Sequence, residues 1–308
     1  MKVVFMGTPE FSVPCLERLV SDGHDVAAVY TQPDKPKGRG HHMMPPPVKE
    51  TAMKYDIPVY QPQKLRQSDA FEVLSEINPD IIIVVAYGQI LPKNILDIPK
   101  YGCVNIHASL LPKYRGAAPI QWSVVDGEKV SGVTSMQMDV GLDTGDMLLK
   151  AETPIGENET AGELHDKLCV MGAEVMSQTI TALEKGEITP EKQDDALSNY
   201  APMLTKELCP IDWNLTAQEV HNKVRGLSPW PGATAMCGDK LFKIHKTVLA
   251  GEVKGAAGEI IESGKRLVVA CGDGNGVEII TLQAQGKKAM PAADFLRGNS
   301  IPAGEFFK

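Results

Sequence analysis

Asn105-Ile106-His107 is where residue types and spacing in this sequence first combine into chemistry. The two polar side chains stand two positions apart at the end of an apolar run, so on a strand they leave the same face. A neutral amide donor beside an imidazole can polarise a carbonyl and handle a proton. A strand-end pair satisfied by local hydrogen bonds carries the same pattern, and the pattern alone does not separate the two. Ser109 follows closely, but the Gly-x-Ser-x-Gly elbow of a serine hydrolase is missing. Further along, Asp139, Asp143 and Asp146 share a loop punctuated by Gly141 and Gly145. Three carboxylates could gather a cation, yet the spacing of an EF-hand loop fails. One aspartate orienting a histidine is the economical functional reading; a solvated turn is the plain one.

Other familiar chemistries lack their residues. Gly7-Thr8-Pro9 follows the first apolar run, where a dinucleotide loop would sit, but G-x-G-x-x-G is absent, and so is the P-loop pattern G-x-x-x-x-G-K-[ST]. Gly272-Asp273-Gly274-Asn275-Gly276 joins two expected strands and reads as a hairpin turn. The six cysteines never come closer than 28 positions, which excludes CxxC zinc and thioredoxin-type sites. They are expected to be buried small apolar residues. His41-His42 lie in a Gly/Pro-rich stretch with no acidic or cysteine partner at ligand spacing, so an exposed loop is expected there.

Positioning Asn105 and His107 requires a sheet. Apolar strand-length runs at residues 2–6, 26–30, 81–86 and 103–107 alternate with helical stretches such as 70–77. Near-continuous Ile/Val strands between helices signal a parallel sheet covered on both faces. Such sheets place their sites at the carboxyl ends of the strands. Two more short strands, 132–136 and 147–150, precede a helix opened by a Thr160/Glu163 capping box. Ala161, Leu164, Leu168, Met171 and Val175 repeat at helical steps along it, and it ends near Lys185-Gly186. A second capping box, Thr216 with Glu219, opens a helix that stops at Ser228-Pro229-Trp230-Pro231-Gly232. Beyond it, short runs at 241–245, 258–261, 266–271 and 277–282 alternate through Gly-rich turns, the pattern of a small β-barrel. The polar, proline-bearing connection 190–208 then separates a first domain, 1–189, from a second, 209–308.

With 308 residues, 43% apolar and 23% charged, the chain can bury a substantial core. No apolar run reaches the ~20 residues that span a bilayer. The first residues enter a strand with no secretory pattern, so the cytoplasm is the expected compartment. The net charge of −8 argues against coating nucleic acid by charge alone. It is uneven, however: residues 1–189 hold 17 Lys and Arg against 25 Asp and Glu, while residues 209–308 hold 12 against 10.

Asn105-x-His107, the run Ser109-Leu110-Leu111-Pro112-Lys113-Tyr114-Arg115-Gly116-Ala117-Ala118-Pro119-Ile120, and Asp143 in its loop together resemble the folate-dependent formyltransferase family. Phe5-Met6-Gly7-Thr8-Pro9-Glu10-Phe11, Thr31-Gln32-Pro33-Asp34-Lys35-Pro36, Gly38-Arg39-Gly40, Ala86-Tyr87-Gly88-Gln89-Ile90-Leu91-Pro92 and Ser228-Pro229-Trp230-Pro231-Gly232-Ala233 are similar to the branch that acts on methionyl-tRNA. The family pattern more often has Asn before that Pro-Trp-Pro-Gly, where this chain has Ser228. The resemblance implies an α/β Rossmann-like catalytic domain followed by an OB-like β-barrel that binds tRNA. It implies formyl transfer from 10-formyltetrahydrofolate to the α-amino group of initiator methionyl-tRNA, without a metal, by a monomer. Asn105 and His107 would polarise the formyl carbonyl, and Asp143 would tune His107 and proton transfer. Tyr87, Gly88, Gln89, Ile90, Leu91, Ser109, Leu110, Leu111, Pro112, Met138, Asp139 and Val140 would line the folate pocket. Lys35, Lys37, Arg39, Lys206, Lys223, Arg225 and Lys243 are the candidate tRNA contacts, the first three on a loop over 34–48.

Overall fold

The computed structural model describes residues 1–37 and 42–308. Seven strands form the central sheet, in the order Met147–Pro154, Val130–Gln137, Cys103–His107, Ile81–Val85, Lys2–Gly7, Asp25–Tyr30, Val59–Tyr60. The strands from Cys103–His107 to Val59–Tyr60 run parallel, while Val130–Gln137 pairs antiparallel to Cys103–His107. The fold is therefore α/β with a mostly parallel sheet. Ile81–Val85 is buried at every position, as a strand covered on both faces must be.

The two faces have different cover. Val4, Met6, Ala28, Tyr30, Ile82, Val84 and Cys103 pack with Leu65, Leu74 and Ile95 in one cluster. On the opposite face, Ile106 meets the long helix Ala161–Lys185 at Gly172, where an added Cβ would lie 3.4 Å from the Ile106 methyl. That helix opens on the Thr160/Glu163 capping box: Thr160 N donates to the Glu163 carboxylate (2.8 Å) and Glu163 N to Thr160 Oγ1 (3.2 Å). Within the segment read as a loop over 34–48, Lys35–Lys37 and His42–Met44 pair as two short antiparallel strands, and a helix starts at Pro47.

The chain divides into two units interleaved in sequence. One comprises Met1–Gly116, Gly132–Thr153 and His165–Tyr200; the other comprises Ala117–Ser131, Pro154–Leu164 and Ala201–Lys308. The expected connection 190–208 is thus shared, its residues up to Tyr200 packing with the first unit. In the second unit, five strands run Ala233–Cys237, Lys240–Glu252, Asn275–Ala284, Leu267–Ala270, Ile260–Ser263, all antiparallel, with Met290–Pro291 added beside Asn275–Ala284. The helix Ala217–Gly226, capped by Thr216 and Glu219, contributes Val220 and Val224 to the same core as Phe242, Ile244, Val277 and Ile279. Ala118 joins that core and Trp122 packs against it, and an added Cβ at Gly226 would strike Val125.

Candidate active site

Cys103–His107 sends Val104 and Ile106 to one face and Asn105 and His107 to the other. Asn105 lies opposite Met136, and His107 opposite Thr134. The following hairpin loop leaves the sheet beside Cys103, where Met138 N donates to the Cys103 carbonyl (2.8 Å), then brings Asp143 back over the Asn105/His107 face. Asp143 Oδ1 accepts from Asn105 Nδ2 at 3.4 Å, and Asp143 Oδ2 accepts from Gly116 N at 2.9 Å. His107 Nδ1 lies 3.9 Å from Asp143 Oδ2. The three side chains singled out as catalytic are brought together.

His107 is buried, and leaving its ring nitrogens unpaired would cost about 1–3 kcal/mol for each group. Its Nε2 stands 2.9 Å from the Tyr114 carbonyl oxygen. A carbonyl only accepts, so Nε2 carries the hydrogen and donates it. Nδ1 of the neutral ring is then a bare acceptor facing Asp143, and it is the atom at which a proton can be taken up.

Three non-glycine residues at the loops around this face adopt left-handed backbone: Ala86 (φ +46°), Tyr114 (φ +60°) and Asp143 (φ +52°). Such conformations persist only where their surroundings over-determine them, and they concentrate at functional sites. Gly145 is needed for a different reason, since a Cβ there would come within 1.7 Å of the Gln137 carbonyl.

The residues expected to line the folate pocket divide by side-chain role. Ile90 and Val140 are exposed at 61% and 72%, with Leu142 beside them in sequence at 54%. These are large apolar side chains left open on the two loops next to Asn105. Gly88 takes φ +82°. Tyr87 is buried, and burial pushes its phenol well above the ordinary value; its carbonyl accepts from Thr8 Oγ1 (3.0 Å) and Gln32 Nε2 (3.2 Å). Gln89 is turned onto Pro62 O (3.0 Å) and Leu65 N (2.7 Å). Ser109 Oγ donates to Lys113 O (2.7 Å). Leu110 and Pro112 are half-buried and Leu91 is buried. Leu111, buried against Met136 and Met147, packs rather than lines. Asp139 is exposed, its carboxylate accepting from Gly141 N and Thr144 Oγ1, both at 2.8 Å, which makes it a turn-former. Met138 is half-buried against the Leu111 cluster. Among the described residues no three His, Cys, Asp or Glu gather as a metal site.

The basic candidates also separate. Lys35 and Lys206 are exposed. Lys37 belongs by its backbone to the strand Lys35–Lys37, and Arg39 lies outside the described residues. Lys223 is half-buried, with its ammonium on the Pro210 carbonyl (2.6 Å) and its pKa lowered by burial. Lys243 places Nζ on the Pro231 carbonyl (2.9 Å). Arg225 is corrected outright: it is 3% exposed, and its guanidinium donates to Asn222 Oδ1 (3.0 Å) and to the Gly156 and Glu159 carbonyls (both 3.2 Å). It fastens its own helix to the 154–164 segment, and its burial closes the guanidinium to a phosphate.

Sequence reasoning missed Gln193. Its amide reaches the Asp143 loop from a polar stretch 50 residues on, where no periodicity or motif marks it.

Residues 1–180 match the formyl transferase family, and residues 203–300 match the formyl transferase C-terminal domain. The methionyl-tRNA formyltransferase of Citrifermentans bemidjiense is 54% identical over 305 residues, covering 99% of this chain and 95% of that protein. That of Geotalea uraniireducens is 52% identical, covering 99% and 97%. Among solved structures, the N-formyltransferase of Helicobacter canadensis, crystallised with folinic acid and dTDP-3-aminofucose, superposes with a TM-score of 0.71 at 22% identity. It covers 92% of this chain and 99% of that one.

Proposed function

Since the chain belongs to the formyl transferase family, we propose that it transfers the formyl group of 10-formyltetrahydrofolate to the α-amino group of initiator methionyl-tRNA. The observation that carries this reading is the closure of Asp143 over Asn105 and His107, with His107 Nε2 committed to the Tyr114 carbonyl and Nδ1 left to take a proton. Attack of an amine on a formamide builds negative charge on oxygen and positive charge on nitrogen. Asn105 Nδ2 donates to that oxygen, an interaction of the kind whose removal costs ~10²–10³ in rate. His107 Nδ1 takes the proton from the attacking nitrogen, and Asp143 stabilises the ring while it is charged. The C–N bond to the acceptor forms, the bond to the donor nitrogen breaks, and the proton passes to that leaving nitrogen.

The apolar side chains of Ile90, Val140 and Leu142 support a flat aromatic donor: they offer open apolar surface on loops that also present backbone donors and acceptors. Ser109, Leu110 and Pro112 would complete that pocket. We assign tRNA binding to residues 209–308, read as an OB-like barrel. The register shifts along Lys240–Glu252 support the curvature a barrel needs. Lys35, Lys37, Arg39, Lys206, Lys223 and Lys243 remain the basic contacts of this reading, in a monomer working in the cytoplasm. The acceptor is tested by mixing the protein and the folate donor with methionyl-tRNA, glycinamide ribonucleotide or an amino sugar nucleotide. Formylated methionyl-tRNA is the expected product, and faster turnover on either alternative would overturn the assignment.

A further inference from the structure

We infer that Gln193 is a positioning residue for this reaction, acting through Asp143; the inference rests on the function proposed above. Gln193 is 7% exposed and every hydrogen-bonding position of its amide is used. Nε2 donates to the Asp143 carbonyl and the Gly145 carbonyl, both at 2.8 Å. Oε1 accepts from Arg115 Nε (3.0 Å) and Nη2 (2.9 Å), and Arg115 Nη2 also reaches Asp195 Oδ1 at 2.8 Å. Arg115 lies between the two residues whose backbones hold the catalytic pair: Tyr114 O binds His107, and Gly116 N binds Asp143. Asn199 adds to the same brace, its side-chain oxygen accepting from Tyr114 N and its carbonyl from Arg115 N (3.1 Å). One amide therefore ties the turn that fixes the imidazole to the loop that fixes the carboxylate.

Both segments need such a brace, because Tyr114 and Asp143 each hold left-handed backbone that costs ~1–3 kcal/mol without support. The gap it controls is sensitive. At 3.9 Å, His107 Nδ1 and Asp143 Oδ2 stand just beyond hydrogen-bond range, so a shift of under an ångström decides whether they meet. Displacements of ~1 Å at reacting groups cost ~10²-fold in rate. The brace also requires an amide: two carbonyls demand donors on one side, and the guanidinium demands an acceptor on the other. Glutamate at this position would keep Arg115 and set an oxygen against two carbonyl oxygens.

The test is single-turnover formylation of methionyl-tRNA by Gln193→Glu, Gln193→Met, Asp143→Asn and the Gln193→Met/Asp143→Asn double variant, with thermal midpoints measured alongside. Gln193→Glu should lose about 10²-fold in the single-turnover rate, with the half-saturating concentration of methionyl-tRNA little changed. Gln193→Met should cost nothing further once Asp143 is already Asn, because a residue acting through another is not additive with it. A wild-type single-turnover rate in Gln193→Glu overturns the inference, as does a Gln193→Met loss that multiplies in full into Asp143→Asn. Full activity in Asp143→Asn itself would remove the proposed role of Asp143, and the inference with it.

Discussion

At the scale of single residues, the arrangement commits one atom of a side chain and leaves another open. Tyr114 O fixes the hydrogen of His107 on Nε2, and Asp143 splits its oxygens between Asn105 and Gly116. Asn105→Ala should lower kcat by ~10²–10³ while leaving folding intact, because Asn105 is half-buried and, in the reaction proposed above, its amide donates to a transition-state charge. Single-turnover rates against circular dichroism check this, and an undiminished rate would strike Asn105 from the mechanism. Asn105 and His107 stood out by their strand spacing, which left a structural pair equally open, and Asp143 was singled out from three loop carboxylates only by the family resemblance. The Tyr114 carbonyl and the Gly116 amide were not legible, since every residue owns those groups and only backbone course decides which are aimed at a site. Arg225 failed in the other direction: charge in a sequence does not distinguish a solvated arginine from one seated on three acceptors.

At the scale of elements, both capping boxes and the alternation of Val104 and Ile106 against Asn105 and His107 were readable, because local pattern alone sets them. The antiparallel turn of Val130–Gln137 was not, since an apolar strand looks the same in either direction. The helix Ala217–Gly226 carries a further consequence. His221 Nε2 donates to Glu157 O (3.0 Å), Nδ1 accepts from Thr247 Oγ1 (2.9 Å), and burial lowers its pKa. A depressed histidine binds its proton more readily in the unfolded chain. The second unit should therefore lose stability as pH falls below the ordinary histidine value of about 6.5, and be insensitive above it. Urea midpoints at pH 7.5 and 5.5 measure this. The drop should shrink in His221→Gln, and an equal drop in both proteins would remove His221 as its cause.

At the scale of the whole molecule, a net charge of −8 and an RNA substrate are compatible only if contacts are local. Lys35 and Lys206 are exposed, whereas the ammonium groups of Lys223 and Lys243 already rest on carbonyls. Lys35→Ala and Lys206→Ala should each flatten the dependence of log K for tRNA on log salt by about one unit per lost phosphate contact. Unchanged slopes in both variants would contradict the placement. A composition shift near residue 190 was legible in the sequence. The membership of residues 117–131 and 154–164 in the second unit was not, because Ala118 joins the core cluster with Val224 across a hundred residues of chain. The proposed formyl transfer depends on the buried imidazole of His107. Its direct test is formyl transfer to methionyl-tRNA by folded His107→Ala: the account predicts turnover reduced by ~10²–10⁴ with folate binding retained, and near wild-type turnover would contradict it.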